Sequence, residues 1–256
     1  MQPFQITLIP CLADNYCVLI HSPETGETAA IDAPEADAVR AALTDRGWRL
    51  THIFITHHHG DHTGGNLALK AHFGCSITGP EAEADRIPGL TRAISASTPL
   101  QFAGQTIVVL ETPGHTLGHV TYVWPQLKTA FTGDTLFALG CGRIFEGDAE
   151  MMWSSLQKIA ALGDETIIYC GHEYTLANGR FALSVEPENE DLKARMAEVE
   201  SLRAAGKPAV PTTIGAEKRT NPFLRARSPH IRARLGMHGA PDWQVFHHLR
   251  QLKNKA

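Results

Sequence analysis

Residues 57–62 read His-His-His-Gly-Asp-His, so His57, His59, Asp61 and His62 place four metal-type donors within six positions. Neutral imidazoles and a carboxylate suit Zn²⁺ and neighbouring first-row ions. The preceding stretch, Leu50 to Thr56, is apolar and β-branched, which predicts a strand running directly into the donors. On a helix, positions 57 and 59 would point in very different directions, whereas a loop leaving a strand can turn all four groups to one side. Gly60 is expected to free the backbone for that turn. His58 then faces away from its neighbours and reads as a residue that supports the ligands.

One such cluster cannot saturate two ions, so a binuclear site needs further donors at later strand ends. They follow in order: His115 in Pro113-Gly114-His115, Asp134 in Thr132-Gly133-Asp134-Thr135, and His172 in Cys170-Gly171-His172. Each sits beside a glycine near the end of an apolar run, where a side chain can project from a sheet edge. Asp32, at the end of another predicted strand, is a candidate carboxylate behind the ligands. The chain has 14 histidines against 4 Trp and 4 Tyr, and histidine is the commonest metal ligand. His119 and the pair His247-His248 read as packing and surface residues.

Around these donors the pattern is mixed. Phe4–Ile9, Tyr16–Ile20, Thr28–Asp32, Cys75–Thr78, Thr106–Glu111, Val120–Trp124, Lys128–Thr132 and Thr166–Cys170 read as strands. Glu35–Arg46, Asn66–Phe73 and Glu150–Leu162 read as helices. Beyond Gly171 the pattern turns helical, over Tyr174–Ser184, Asn189–Ala205 and Asp242–Leu252, with a breaker cluster at Lys207-Pro208-Ala209-Val210-Pro211. This predicts an α/β body over residues 1–170 and a small helical domain over 171–256.

Net charge is −4, which gives no general attraction to nucleic acid or an anionic membrane. It is unevenly spread, because Lys218 to Ala256 holds nine Lys and Arg against the single acid Asp242. A solvated basic face is the simplest reading of that segment. Five cysteines with no Cys-x-x-Cys spacing fit reduced thiols rather than a disulfide framework. The N-terminus, Met1-Gln2-Pro3-Phe4, lacks the basic region of a signal peptide, and no apolar run reaches membrane-spanning length. A cytoplasmic protein without membrane or nucleic-acid partners is expected, and with no coiled-coil pattern, a monomer.

The ordered set His-x-His-x-Asp-His, Gly-His, Gly-Asp, Gly-His resembles the metallo-β-lactamase superfamily, whose fold is an αββα sandwich. Further motifs narrow the likeness: Asp14-Asn15-Tyr16, Gly133-Asp134-Thr135-Leu136-Phe137, Gly140-Cys141-Gly142-Arg143-Ile144-Phe145-Glu146-Gly147, Gly171-His172-Glu173-Tyr174-Thr175, Glu186-Pro187-Glu188-Asn189 and Thr220-Asn221-Pro222-Phe223-Leu224-Arg225. Together they resemble the glyoxalase II family of hydroxyacylglutathione hydrolases, over nearly the whole chain.

The resemblance implies a metallo-β-lactamase-like α/β sandwich with a small C-terminal helical substrate-binding domain. It also implies two divalent ions per chain, Zn²⁺ foremost, with Fe or Mn acceptable. His57, His59 and His115 would hold one ion; Asp61, His62 and His172 the other; Asp134 would bridge them. Asp134 and Asp61 are then the catalytic carboxylates, and a hydroxide bridging the ions attacks the acyl carbonyl. The implied reaction is hydrolysis of S-(2-hydroxyacyl)glutathione thioesters, chiefly S-(R)-lactoylglutathione to (R)-lactate and glutathione, the second step of methylglyoxal detoxification. Arg143, Phe145 and Tyr174 match glutathione-contacting positions, and Arg250 with Lys253 match the basic pair that engages the glycine carboxylate. A mononuclear iron persulfide dioxygenase, a nucleic-acid-processing enzyme and a simple metal-binding module are the alternatives on the residues alone.

Overall fold

The computed structural model describes residues 3–256. Met1 and Gln2, on which the reading of the N-terminus partly rests, lie outside the described residues. The chain forms two compact units, Met1–Glu111 with Gly118–Leu127, and Thr112–Leu117 with Lys128–Ala256.

In the first unit, β1 (Gln5–Cys11) and β2 (Asn15–His21) form a hairpin with Ile9 opposite Cys17, and β3 (Thr28–Ile31) continues the antiparallel run. Helix α1 (Ala36–Arg46) then crosses over so that β4 (His52–Phe54) lies parallel to β3, with Ile31 opposite Phe54. A one-turn helix α2 (Gly60–Thr63) and α3 (Asn66–Phe73) lead to β5 (Ser76–Pro80) and β6 (Arg92–Ile94), both parallel additions. Buried Leu19, Ala30, Ile53 and Ile77 pack against Val39 and Leu43 of α1 and Leu69 of α3. The parallel strands β3, β4 and β5 are mostly buried, and Thr28–Ile31 is buried at every position.

An antiparallel meander follows, β7 (Leu100–Phe102), β8 (Gln105–Glu111) and β9 (Val120–Trp124). Ile107 and Val109 of β8 are buried while Val108 between them is exposed, the period of a strand with one covered face. The Trp124 ring meets Phe54 at 5.8 Å and 78°, and the Tyr122 hydroxyl donates to the Ile55 carbonyl at 2.8 Å. These contacts tie the meander to the strand that precedes the donor loop.

In the second unit, β10 (Thr129–Gly133) runs parallel to β13 (Ile167–Cys170), and β14 (Thr212–Thr213) pairs antiparallel with β13. Between β10 and β13 lie the short hairpin β11 (Leu136–Phe137) and β12 (Gly140–Cys141) and helix α4 (Ala149–Ala160), capped by Asp148. Helices α5 (Thr175–Val185) and α6 (Glu190–Ala204) pack through Ala182, Leu192, Met196 and Val199, so closely that a Cβ at Gly179 would lie 1.9 Å from the Met196 sulfur. Helices α7 (Ile214–Thr220), α8 (Pro229–Leu235) and α9 (Asp242–Asn254) complete the unit. Within this unit β14 adds to β13, and Asn221 bonds to carbonyls of the hairpin.

The basic C-terminal segment is not simply a solvated face. Arg225 donates twice to the buried Glu186 carboxylate, at 2.7 and 2.8 Å. Asp242 accepts from Arg227 and Arg232, each at 2.6 Å, and Lys218 donates to Asp164 at 2.7 Å. All five cysteines are buried and free. Burial pushes the Cys11 and Cys141 thiols up to about 11 and Cys170 to about 12, and raises Cys17 and Cys75 as well.

Burial by itself would raise the Glu186 carboxyl, but hydrogen bonds from Arg225, Asn189 and Ser228 hold it below its ordinary value. A carboxyl depressed in the folded state contributes stability at pH above its unfolded value, and that contribution is lost as pH falls through the folded value. Arg225→Met leaves a buried charge without its cation and is expected to cost about 3 kcal/mol or more at neutral pH. The cost should shrink in acid, where Glu186 protonates in both proteins, and urea denaturation across a pH series measures it.

Candidate metal centre

The donor loop of the first unit is fastened to the ends of two adjacent parallel strands. Asp32, one residue past β3, has a left-handed backbone (φ 55°), a conformation that Asp tolerates better than most residues. From there its Oδ1 accepts the Thr56 amide at 2.8 Å, and its Oδ2 accepts the Thr56 hydroxyl at 2.9 Å and Nδ1 of His62 at 2.8 Å. The sequence-based reading of Asp32 as a supporting carboxylate agrees with this arrangement. Thr56 has spent its only hydroxyl proton on Asp32, so the 3.0 Å contact between Thr56 Oγ1 and His57 Nδ1 has the ring as donor. Both His57 and His62 therefore keep Nε2 unprotonated, as a metal ligand requires.

His57 Nε2 faces His59 Nδ1 at 3.0 Å, and His62 Nε2 lies 3.8 Å from Asp61 Oδ2. With His57 Nε2 as an acceptor, the facing His59 nitrogen either donates its proton to it or shares a cation with it. Asn15 steadies Asp61, donating to its backbone carbonyl at 2.9 Å and to Oδ2 at 3.1 Å. His58 turns away as expected, with Nδ1 2.8 Å from buried Glu83, which also accepts the amides of His58 and Gly118. His119 is fully buried, stacked on His57 at 4.9 Å and 28°. The expectation for Gly60 fails: its φ is not positive and a Cβ there would meet open space. The chain bends at that point by entering the single turn of α2.

In the second unit, Asp134 leaves the end of β10, and its Oδ2 lies 3.4 Å from Nε2 of His115 and 3.4 Å from Nε2 of His172. One carboxylate oxygen thus faces two imidazole nitrogens at the same distance. His115 Nδ1 donates to the Arg143 carbonyl at 2.8 Å, which again leaves Nε2 as the acceptor. The Gly171 amide donates to the Gly133 carbonyl at 2.9 Å and so joins the loop carrying His172 to the loop carrying Asp134. Gly142 passes so close to Asp134 that a Cβ there would lie 1.9 Å from the Asp134 carbonyl oxygen.

Two aromatic rings flank these ligands while remaining open to solvent. Phe145, 61% exposed, meets His115 edge to face at 5.1 Å, and Tyr174, 36% exposed, stacks on His172 at 4.7 Å and 6°. Arg250 departs from the picture of a surface cation. It is only 6% exposed, with its guanidinium donating to the Cys141 carbonyl at 2.8 Å and lying over the Phe223 ring. Lys253 donates to the Ala177 carbonyl at 3.1 Å. Burial, and then the charges of Arg250 and Arg143, push the Lys253 ammonium down. Cys141 is a poor nucleophile at its raised pKa.

Among the described residues, histidine and aspartate side chains form groups of donors that could hold a metal ion. The metallo-beta-lactamase superfamily profile matches residues 24–172, and the profile of the hydroxyacylglutathione hydrolase C-terminus matches residues 173–256. A hydroxyacylglutathione hydrolase of Rhizobium johnstonii is 56% identical over 254 residues, covering 99% of both chains. The chain belongs to the hydroxyacylglutathione hydrolase family. Proteins of the same name from Rhizobium meliloti and Maricaulis maris are 54% and 51% identical over the same span. The fold is that of the metallo-β-lactamases. A B3 metallo-beta-lactamase, BLEG-1, superimposes with a TM-score of 0.67 at 22% identity, covering 86% of this chain and 99% of its own. ETHE1 from Myxococcus xanthus gives 0.68 at 24% identity, covering 98% and 91%.

Glu83 and the Arg143 carbonyl carried no signal of their own in the sequence. Glu83 sits in the charged run Glu81-Ala82-Glu83-Ala84-Asp85-Arg86, where nothing distinguishes the one buried acid, and a backbone carbonyl has no sequence signature. Asp32→Asn leaves one acceptor oxygen for three donors, and is expected to weaken metal retention by about 10–100-fold, which competition against a chromophoric chelator measures.

Proposed function

We propose that residues 1–170 supply a binuclear metal site and residues 171–256 the thioester recognition for hydrolysis of S-(2-hydroxyacyl)glutathione, chiefly S-(R)-lactoylglutathione. In this reading His57, His59 and His115 hold one divalent ion, Asp61, His62 and His172 the second, and Asp134 bridges them. The observation that carries it is the Asp134 oxygen 3.4 Å from the Nε2 atoms of both His115 and His172, in a member of the hydroxyacylglutathione hydrolase family. The donor set is mixed imidazole and carboxylate, which suits Zn²⁺ and also accommodates Fe or Mn. Such cations, when bound, lower the pKa of water towards neutrality and polarise an acyl carbonyl.

The chain's own groups do the rest. Asp32, Thr56 and the Arg143 carbonyl keep the ring protons of His62, His57 and His115 on the nitrogen that faces away from the centre. Phe145 and Tyr174 give the thioester an apolar shelf beside His115 and His172 that excludes water from the leaving sulfur. A thiolate departs without full protonation, so no general acid is required on that side. Arg143, Arg250 and Lys253 gather positive charge, and the hydrogen-bond partners of Arg250 and Lys253 are carbonyl and amide oxygens and the Cys141 sulfur rather than carboxylates. A glutathione carboxylate supplies the missing anion. Phe145 offers a ring without a hydroxyl contact.

We also place the protein in the cytoplasm as a monomer with no nucleic-acid or membrane partner. Among the described residues no helix is long and apolar enough to cross a membrane, and the buried free thiols suit a reducing compartment.

The test follows thioester absorbance loss with S-(R)-lactoylglutathione while metals are counted by elemental analysis in the same preparation. The expected result is turnover with close to two metals per chain. About one iron per chain, no turnover, and oxygen uptake with glutathione persulfide would overturn the proposal. Asp134→Ala should lose metal and nearly all activity. Lys253→Ala should raise KM about tenfold, equivalent to ~1.4 kcal/mol of binding, with kcat little changed.

A further inference from the structure

Glu217, in α7, is a fully buried carboxylate held by donors rather than by an ion pair. Its Oε2 accepts the Leu139 amide at 2.8 Å and the Asn221 amide nitrogen at 2.9 Å, while Oε1 accepts the Thr212 hydroxyl at 2.7 Å. Leu139 lies in the turn between β11 and β12 with a left-handed backbone (φ 58°), which a leucine adopts only when its surroundings hold it there. Its side chain is buried against Ala182, Leu192 and Met196, so the strained backbone and the packed side chain must be satisfied together. Asn221, also fully buried, donates to the carbonyls of Phe137 at 3.2 Å and Gly140 at 2.9 Å, the two residues that pair across the hairpin.

The turn held in this way connects two pieces of the candidate site. On its N-terminal side the chain leads back through Leu136 and Thr135 to Asp134. On its C-terminal side it leads through Cys141 and Gly142 to Arg143, whose carbonyl fixes His115. The strands are closed on each other at that end, with the Gly142 amide donating to the Thr135 carbonyl at 3.3 Å and Gly142 against the Asp134 carbonyl. A hairpin this short and closely packed transmits a displacement of its turn to its base.

We propose that Glu217 and Asn221 are positioning residues that hold the Phe137–Gly140 turn, and through it set both the metal-bridging carboxylate Asp134 and the Arg143 carbonyl that orients His115. This rests on the reading of Asp134 as a bridging ligand. What Glu217 supplies is an acceptor in a fixed place, not a charge. A glutamine can fill the role, with its carbonyl oxygen at the Oε2 position and its amide facing a Thr212 hydroxyl turned to accept.

The test compares Glu217→Ala, Glu217→Gln, Asn221→Ala and Thr212→Val as holoenzymes, measuring metal retained against a chelator series, kcat, KM and Tm. Glu217→Ala and Asn221→Ala should release metal at about tenfold lower chelator concentration and lose about tenfold or more in kcat, the size of effect seen when groups behind metal ligands are removed. Glu217→Gln should restore both quantities. Thr212→Val, which strips only the far oxygen, should lower Tm while leaving metal retention and kcat intact. Alanine variants with lowered Tm but wild-type metal retention and kcat would overturn the proposal, as would a Glu217→Gln variant as defective as Glu217→Ala. Should Glu217→Ala not fold, Asn221→Ala decides alone, since it keeps the carboxylate bonded to Leu139 and Thr212. A wild-type protein that holds no metal would instead defeat the reading of the site beneath the proposal.

Discussion

An imidazole ring presents two nitrogens, and a cluster of such rings can serve a cation only if the proton on each is pinned to the side away from it. That requirement organises the structure around the centre. In the first unit it is met by one carboxylate, Asp32, which takes the proton of His62 directly and that of Thr56, so that Thr56 can accept from His57. The parallel pairing of Ile31 with Phe54 brings Asp32 and Thr56, each just past its strand, to the same level of the sheet. In the second unit a backbone carbonyl, that of Arg143, does the same for His115. Both solutions depend on where strands end, which is why sheet register matters more to this chemistry than the helices.

Charge is handled by the same economy. The basic C-terminal segment looks uniform in the sequence but divides into two classes in the fold. Arg225, Arg227, Arg232 and Lys218 are committed to Glu186, Asp242 and Asp164 and stabilise the unit that carries them. Arg250 and Lys253 are bound to carbonyl oxygens instead, which orders the side chains without neutralising them. Ordered and uncompensated positive charge is what an anionic ligand requires, because the cost of fixing long side chains has been met before it arrives.

The candidate donors were legible from the sequence because metal chemistry restricts residue type and because strand ends with adjacent glycines are recognisable. The regular elements were legible for the same periodic reason: Asn66–Phe73 and Val120–Trp124 were read to the residue. Short pieces without periodicity escaped, among them Arg92–Ile94, the hairpin at Leu136–Cys141 and Ile214–Thr220, since two or three strand residues cannot display an alternation and the seven of Ile214–Thr220 make under two helical turns. The supporting groups were less visible still. Asn15 and Asn221 stood within motifs that had a family meaning but no visible mechanism, and nothing in the sequence sets Glu83 and Glu217 apart from exposed acids until burial singles them out. Arg250 was read as a ligand contact by its position, while the fold also gives it a carbonyl to hold.

The state of the cysteines bears on the company this protein keeps. A hydrolase of glutathione thioesters releases a thiol at every turnover and works where thiols and disulfides exchange continuously. Exchange proceeds through an accessible thiolate, and its rate falls with the thiolate fraction and with access. With all five thiols buried and Cys11, Cys141 and Cys170 raised to about 11, 11 and 12, almost none is ionised at neutral pH. The fold thereby insulates itself from mixed disulfides with its own product, and a shift in the cellular glutathione redox balance has no foothold on the chain.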